Sequence, residues 1–317
     1  MKNRRVIVIA GATASGKTSL GIAVALATGG EIVSADSMQI YRGMDIGTAK
    51  ASADEQKQVR HHMIDVADPR ENYSVARYVE EASACCDRLL QEGKVPIIVG
   101  GTGLYIDSLL AGRSFWKQAE DPALRKELCE EYETEGGEKL LEKLSSFDPE
   151  RAAILHPADK KRIVRAMEVY YLSGETITEH DRKTREIPPK YEAAVLIPGF
   201  HNRALLYERI DRRVGEMIRR GLFKEVKDLL DSGIPAGATA MQAIGYKEAV
   251  DVVYGRISEE DAADHIRQAS RRYAKRQITW FSKRQDAIRL FHDDPGGTEE
   301  MTAEAVRRAK ERVHDYS

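Results

Sequence analysis

The sequence predicts an α/β protein with a parallel sheet flanked by helices and an inserted all-helical domain. Three observations predict it. Short apolar runs alternate with helical patterns through the first third, a glycine-rich loop joins the first run to the first helix, and a wholly helical stretch follows Gly112 before a strand-like run returns at Ala193. βαβα order brings parallel strands together with helices on both faces, and ligands bind beyond the strands' carboxyl ends. With 317 residues, 42% of them hydrophobic, the chain buries a sizeable core and has room for two domains.

The first strand, Val6–Ala10, leads into Gly11-Ala12-Thr13-Ala14-Ser15-Gly16-Lys17-Thr18, a complete G-x4-G-K-[ST] phosphate loop, and then into a helix over Thr18–Ala27. The glycines let backbone N–H groups converge on phosphate oxygens, the helix points its positive end at them, Lys17 adds a charge and Thr18 offers a hydroxyl to Mg²⁺. This makes the sheet P-loop NTPase-like and says that the chain grips a polyphosphate. The motif leaves open whether that polyphosphate belongs to a nucleotide.

Further strands are predicted at Glu31–Ala35, His62–Val66 and Val95–Val99, with a helix over Val75–Gln91. The loops starting at Gly11, Asp36 and Gly100 then share one sheet edge. An ordinary phosphate-loop NTPase ends a strand in a metal-positioning acid, whereas Val95–Val99 ends in Gly100-Gly101-Thr102-Gly103. Asp65, in the third run, is a second candidate for that acid.

From about Asp121 to Gly174 the chain is helical. Asp121-Pro122 and Asp148-Pro149 each offer an N-cap followed by proline, and Gly174 is a C-cap. In the last helix Ile163, Met167, Tyr170 and Gly174 share one face, and Lys161 and Arg165 another. Glu186–Lys190 breaks the pattern, Ala193–Ile197 returns to a strand, and the chain from Asn202 is mostly helical, with Ser258 capping a long basic helix. The expected division is a discontinuous core, 1–113 with 191–317, and a helical insertion, 114–190. There is no internal repeat.

No run approaches the ~20 apolar residues that span a bilayer, and Met1–Arg5 leads only into a short strand, so a cytoplasmic protein without a membrane partner is expected. Cys85, Cys86 and Cys129 form no C-x-x-C pair and read as buried or incidental thiols. His61-His62 have no carboxylate or third histidine at ligand spacing. The net charge of −2 hides an uneven distribution: between His265 and Arg284 stand Arg267, Arg271, Arg272, Lys275, Arg276, Lys283 and Arg284 with no acid, and Lys160-Lys161-Arg162 with Arg165 forms a second cluster. Such clusters are either solvated helix faces or the footprint of a polyanion such as RNA.

Two further motifs carry chemistry. Asp36, in Ser34-Ala35-Asp36-Ser37-Met38-Gln39, is placed to accept a proton or to hold Mg²⁺ through water; the bland reading is a turn cap. In Arg209-Ile210-Asp211-Arg212-Arg213, arginines either clamp diphosphate or pair with neighbouring acids.

Gly11–Thr18, the Asp36–Lys50 block, Gly100-Gly-Thr-Gly-Leu-Tyr105, Arg162–Val169 and Gln242-Ala-Ile-Gly-Tyr-Lys247 resemble the bacterial tRNA dimethylallyltransferase (tRNA isopentenyltransferase) family over nearly the whole chain. Ala12 departs from the family's usual proline. The resemblance implies a loop that holds the diphosphate of dimethylallyl diphosphate rather than ATP, and transfer of the dimethylallyl group to N6 of the adenosine just 3′ of the anticodon. It makes Asp36 the base; Lys17, Thr18 with Mg²⁺, and an arginine, aligned with Arg213 among Arg209, Arg212 and Arg213, neutralise the leaving diphosphate. It assigns tRNA contacts to Asp36, Ser37, Met38, Gln39, Thr102, Arg125, Lys161, Arg162, Ile163, Val164 and Arg165. The insertion then grips the anticodon stem-loop of a tRNA bound by a monomer. Two other classes remain: a nucleoside or nucleotide kinase, which explains the loop and the inserted helices as a lid, and a nucleotide-gated RNA-binding switch, which explains the loop and the basic helices.

Overall fold

The computed structural model describes residues 4–112 and 121–314. They form two compact units, one within Met1–Gly112 and Lys190–Ser317, the other within Arg113–Pro189. The expected boundary at 113 and 114 lies outside the described residues.

In the first unit, β1 (Arg5–Ala10), β2 (Glu31–Ser34), β3 (His61–His62), β4 (Pro96–Gly100), β5 (Glu192–Gly199) and β6 (Ile288–Phe291) build one parallel sheet in the order β3-β2-β4-β1-β5-β6. A strand covered on both faces reads as a continuous apolar run, and Val6–Ala10 are each at most 1% exposed. Ile7 lies opposite Ile97 of β4, and Ile9 opposite Leu196 of β5. Helices α1 (Lys17–Thr28), α2 (Ala53–Gln58), α3 (Val75–Gln91), α4 (Gly103–Ala111), α10 (Arg203–Arg219), α11 (Leu222–Asp231), α12 (Tyr246–Val253), α13 (Glu259–Phe281) and α14 (Gly297–His314) surround it. Ile7, Ile9, Leu20, Val24, Ile97, Leu196, Leu290 and Met301 form one core cluster. Cys85 and Cys86 are buried on α3, and all three cysteines are free.

Two expectations need correction. The third strand is only His61–His62, because Met63 and Asp65 take left-handed φ values of 59° and 56°, which end the pairing. His62 Nε2 bonds Glu31 at 2.6 Å, as a strand-edge pair. β6, which sequence patterning did not reveal, completes the opposite edge.

In the second unit, α5 (Pro122–Glu135), α6 (Gly137–Ser145), α7 (Pro149–Ile154), α8 (Lys160–Ser173) and α9 (Ile177–Glu186) pack around Leu128, Leu140, Leu144, Ile163 and Met167. The Asp121 and Asp148 carboxylates accept from the first-turn N–H groups of α5 and α7, ahead of Pro122 and Pro149, and Gly174 closes α8 with φ 71°. The chain leaves the first unit at Gly112 and rejoins it beside the exit: Lys190 N donates to Leu110 O at 2.9 Å.

Candidate active site

β1 delivers the chain to Gly11, where φ is 151° and a Cβ would sit 3.2 Å from the Pro198 carbonyl oxygen. The loop then places Ala14 at φ 62°, a left-handed conformation that costs a non-glycine residue energy and persists only where surroundings impose it. Helix α1 starts after Gly16 without a side-chain cap, so its first-turn N–H groups face the loop's concavity. Thr18 and Ser19 follow at the mouth.

Three side chains from the last third of the chain hold this loop. Gln277 of α13 accepts from Thr13 N at 2.8 Å and donates to Gly101 O at 2.9 Å, joining the phosphate loop to the loop after β4. Arg209 Nε donates to Ala14 O at 3.0 Å. His292 bonds Ser15 O through Nε2 at 2.8 Å and Thr298 Oγ1 through Nδ1 at 2.9 Å. Burial pushes the imidazole's pKa down, so at neutral pH its Nε2–H donates to Ser15 O and its Nδ1 accepts the Thr298 hydroxyl.

The glycines after β4 are required by close packing. A Cβ on Gly100 would lie 2.1 Å from Ala35 O, one on Gly101 2.2 Å from Gln277 Nε2, and one on Gly103 2.3 Å from Trp280 Nε1. Thr102 Oγ1 accepts from Ser37 N at 3.0 Å, so this loop buttresses the one after β2.

Asp36 caps a turn at the edge of the cleft. Its Oδ1 accepts from Met38 N at 2.9 Å and Gln39 N at 3.4 Å, a turn cap, while the side chain also lines the cleft. Lys17 and Arg213 are its charged neighbours. Lys17 Nζ donates to Ala12 O at 2.6 Å. Desolvation and the Arg213 cation pull its pKa down to about 7, against the opposing Asp36 carboxylate. Burial presses the Arg213 guanidinium below its ordinary range, with Asp36 partly offsetting this.

The Asp36–Lys50 block is anchored outside itself. Glu225 of α11 accepts from the amides of Asp45, Ile46 and Gly47 at 3.0, 2.8 and 3.3 Å, and from Tyr246 OH at 2.5 Å. A Cβ on Gly47 would lie 2.3 Å from the Tyr246 ring, which explains Gly47 and Tyr246 together. Gln39 ties the block to β2 and to itself, accepting from Ser34 Oγ and donating to Thr48 O and Ala49 O. Asp65 belongs here too: it pairs with the buried Lys50 at 2.6 Å. Its candidacy as a metal-positioning acid is therefore withdrawn.

These elements enclose a cleft of about 700 Å³. Thr13, Lys17, Thr18, Asp36, Arg209, Arg212 and Arg213 line it together with apolar Ile210, Val214, Met217, Ile244 and Ile266. Of the clustered arginines, Arg209 holds the loop's backbone and Arg213 lies beside Asp36 and Lys17, while Asp211 pairs with Arg271 at 3.0 Å. Among the described residues no cluster of three or more His, Cys, Asp or Glu side chains suits a metal. Thr18 and Asp36, which both line the cleft, are oxygen donors of the kind that a hard cation takes beside phosphate oxygens.

Residues 39–285 match the family described as IPP transferase. A tRNA dimethylallyltransferase of Caldanaerobacter subterraneus is 45% identical over 95% of this chain and 96% of its own length. The chain belongs to the IPP transferase family. The solved structure of a tRNA isopentenylpyrophosphate transferase from Bacillus halodurans superposes with a TM-score of 0.69 at 36% identity, covering 98% of each chain. A eukaryotic dimethylallyltransferase solved in the course of acting on tRNA gives 0.84 at 27% identity, covering 99% of this chain and 81% of its own. Membership in the IPP transferase family does not favour the kinase and nucleotide-switch readings.

The other residues assigned by resemblance divide by exposure. Lys161 and Arg162 are exposed on α8, and Arg125 and Arg165 are half-exposed. Ile163 and Val164, at 0% and 4% exposure, are core residues of the helical unit, so their side chains do not reach solvent and the expected side-chain contact with RNA does not hold for them. Arg267 and Arg271 of α13, and Arg284 just beyond it, pair with Asp264, Asp211 and Asp107, so the basic run is partly neutralised. Arg276 and Tyr273 line the cleft. Among the described residues no helix is long and apolar enough to cross a membrane.

Proposed function

We propose that this IPP transferase moves a dimethylallyl group from dimethylallyl diphosphate to N6 of the adenosine just 3′ of a tRNA anticodon, releasing diphosphate. One observation carries the reading: a carboxylate, Asp36, and a phosphate loop face one cleft that also has apolar walls. The walls suit a five-carbon hydrocarbon, and the loop suits its diphosphate.

The chemistry follows from the charges. An exocyclic aromatic amine is a poor nucleophile until it loses its proton, so a base takes that proton as the C–N bond forms. Asp36 is the base, and the proton ends on its carboxylate. The allylic C–O bond breaks and its electron pair leaves with diphosphate. Lys17, Arg213 and the α1 amides meet the charge that grows there. Ser15 Oγ, buried without a partner among the described residues, adds a donor to the loop. Thr18, with Asp36 through water, would hold Mg²⁺, which supplies further charge neutralisation on the diphosphate.

The adenosine must leave its stack to enter the cleft, at a cost of about a few kcal/mol that protein contacts to the anticodon arm offset. We assign those contacts to Arg125, Lys161, Arg162 and Arg165, with Ser37 and Met38 at the cleft and Thr102 beside them. The enzyme acts as a monomer in the cytoplasm, where its tRNA substrate is.

The test is to incubate the protein and Mg²⁺ with an anticodon stem-loop bearing the target adenosine, adding dimethylallyl diphosphate or ATP, and to weigh the RNA by mass spectrometry. A gain of one dimethylallyl group with the prenyl donor alone supports the reading. Unchanged RNA with ATP consumed overturns it in favour of a kinase or switch.

A further inference from the structure

The helical unit contains a fully buried carboxylate that does not act like a stabilising ion pair. Glu168, on α8, is 0% exposed. Its Oε2 accepts from Arg125 of α5 at 2.9 Å and from Arg165 at 2.7 Å, while its Oε1 is buried with no partner among the described residues. Burying a carboxylate is unfavourable, and leaving one oxygen unbonded makes it more so. The unit does not need this group for cohesion, because α5 and α8 already meet through Leu128, Ile163, Val164 and Met167.

What Glu168 accomplishes is geometric. It draws two guanidinium groups from different helices onto one oxygen, where their mutual repulsion would otherwise separate them. Both arginine side chains stay more than 40% exposed, at 45% and 43%. Each guanidinium has five N–H donors and spends one NH₂ group on the carboxylate, so the rest of the two forks stays available. The triad carries a net charge of +1. Lys161 and Arg165 are i and i+4 on α8, and Lys161 forms no ion pair among the described residues, so a further cation extends the same row.

The geometry points to Glu168 as a positioning residue that pre-organises Arg125 and Arg165 as a two-arginine clamp for one backbone phosphate of the RNA substrate. The inference rests on the RNA-modifying reading above. Phosphodiester is the ligand that fits, because two adjacent planar forks match its two free oxygens.

The deciding variant is Glu168→Gln in the full chain, with stem-loop affinity measured over a range of salt and prenylation kinetics measured in parallel. Plain electrostatics predicts tighter binding, since the substitution removes a negative charge. Positioning predicts the opposite sign: binding weaker by roughly tenfold, a salt dependence shallower by about one phosphate contact, KM for RNA raised, and kcat and KM for dimethylallyl diphosphate unchanged. In an Arg125→Ala/Arg165→Ala background the same substitution should have no further effect on RNA affinity.

A folded Glu168→Gln protein that binds RNA as tightly as, or tighter than, the unsubstituted protein overturns the inference. If that variant does not fold, Arg125→Ala and Arg165→Ala decide. Each should weaken RNA binding and lower the salt slope by about one, and unchanged affinity in both overturns the clamp. Failure of the unsubstituted protein to modify RNA would instead overturn the functional reading beneath it.

Discussion

At the scale of single residues, Asp36 and Lys17 separate binding from chemistry. Asp36→Ala should lower single-turnover prenylation by about a hundredfold or more, the ordinary worth of a general base, while stem-loop affinity changes little. Lys161→Ala should do the reverse. A large loss of RNA binding in Asp36→Ala with normal single-turnover rates would exchange the two roles. Lys17 makes a prediction in pH. With its pKa held near 7, Lys17 is largely neutral at pH 8 until an anion arrives and restores its charge. Diphosphate binding should therefore take up close to one proton at pH 8 and much less at pH 6, read by calorimetry in buffers of different ionisation enthalpy. For the ligand-free fold the sign is set by the same depression. The folded protein holds fewer protons than the unfolded chain between about 7 and the ordinary lysine value, so Lys17 weakens the fold most below pH 7 and progressively less as pH rises through that window.

At the scale of elements, what could be read from sequence was what local patterning dictates. The helix Val75–Gln91, the phosphate loop and the proline-following caps at Asp121 and Asp148 all rest on short-range rules, and each stands where it was expected. The Asp36 turn was readable as well. Gln277, His292 and Glu225 were invisible because their work is tertiary: Gln277 meets Thr13 across 264 positions and His292 meets Ser15 across 277. Glycine spacing was the one available signal, since Gly47, Gly101 and Gly103 record what packs against them. β6 escaped notice as a four-residue edge strand, and His62–Val66 looked like a strand only because left-handed φ leaves no trace in hydropathy. The Gln277 bridge is testable. Gln277→Ala leaves Thr13 N–H and Gly101 O without their partner, so it should lower stability by about 1–3 kcal/mol in denaturant unfolding and reduce diphosphate affinity in parallel. Unaltered stability and affinity would show that the two loops hold their places without it.

At the scale of the whole molecule, the chain's exit at Gly112 and its return at Lys190 are joined by the Lys190–Leu110 hydrogen bond, so the first unit needs nothing longer than a turn between them. Replacing 113–189 with a linker of about 4 residues should leave a folded protein that binds dimethylallyl diphosphate and has lost stem-loop affinity, measured by calorimetry and fluorescence anisotropy. Retained RNA affinity would move the contact to the α13 surface. The sheet order has a different consequence, for biosynthesis. β1 is made first but lies between β4 and β5, and the phosphate loop that follows it is held by Arg209, Gln277 and His292. A ribosome therefore releases this buried apolar strand long before its second neighbour, and the loop's supports emerge later still. The nascent chain carries an unpaired hydrophobic edge through most of translation, the condition under which long-range parallel sheets fold slowly and depend on being shielded from aggregation. Truncation anywhere before His292 should then leave not a weaker enzyme but a polypeptide whose phosphate grip never assembles.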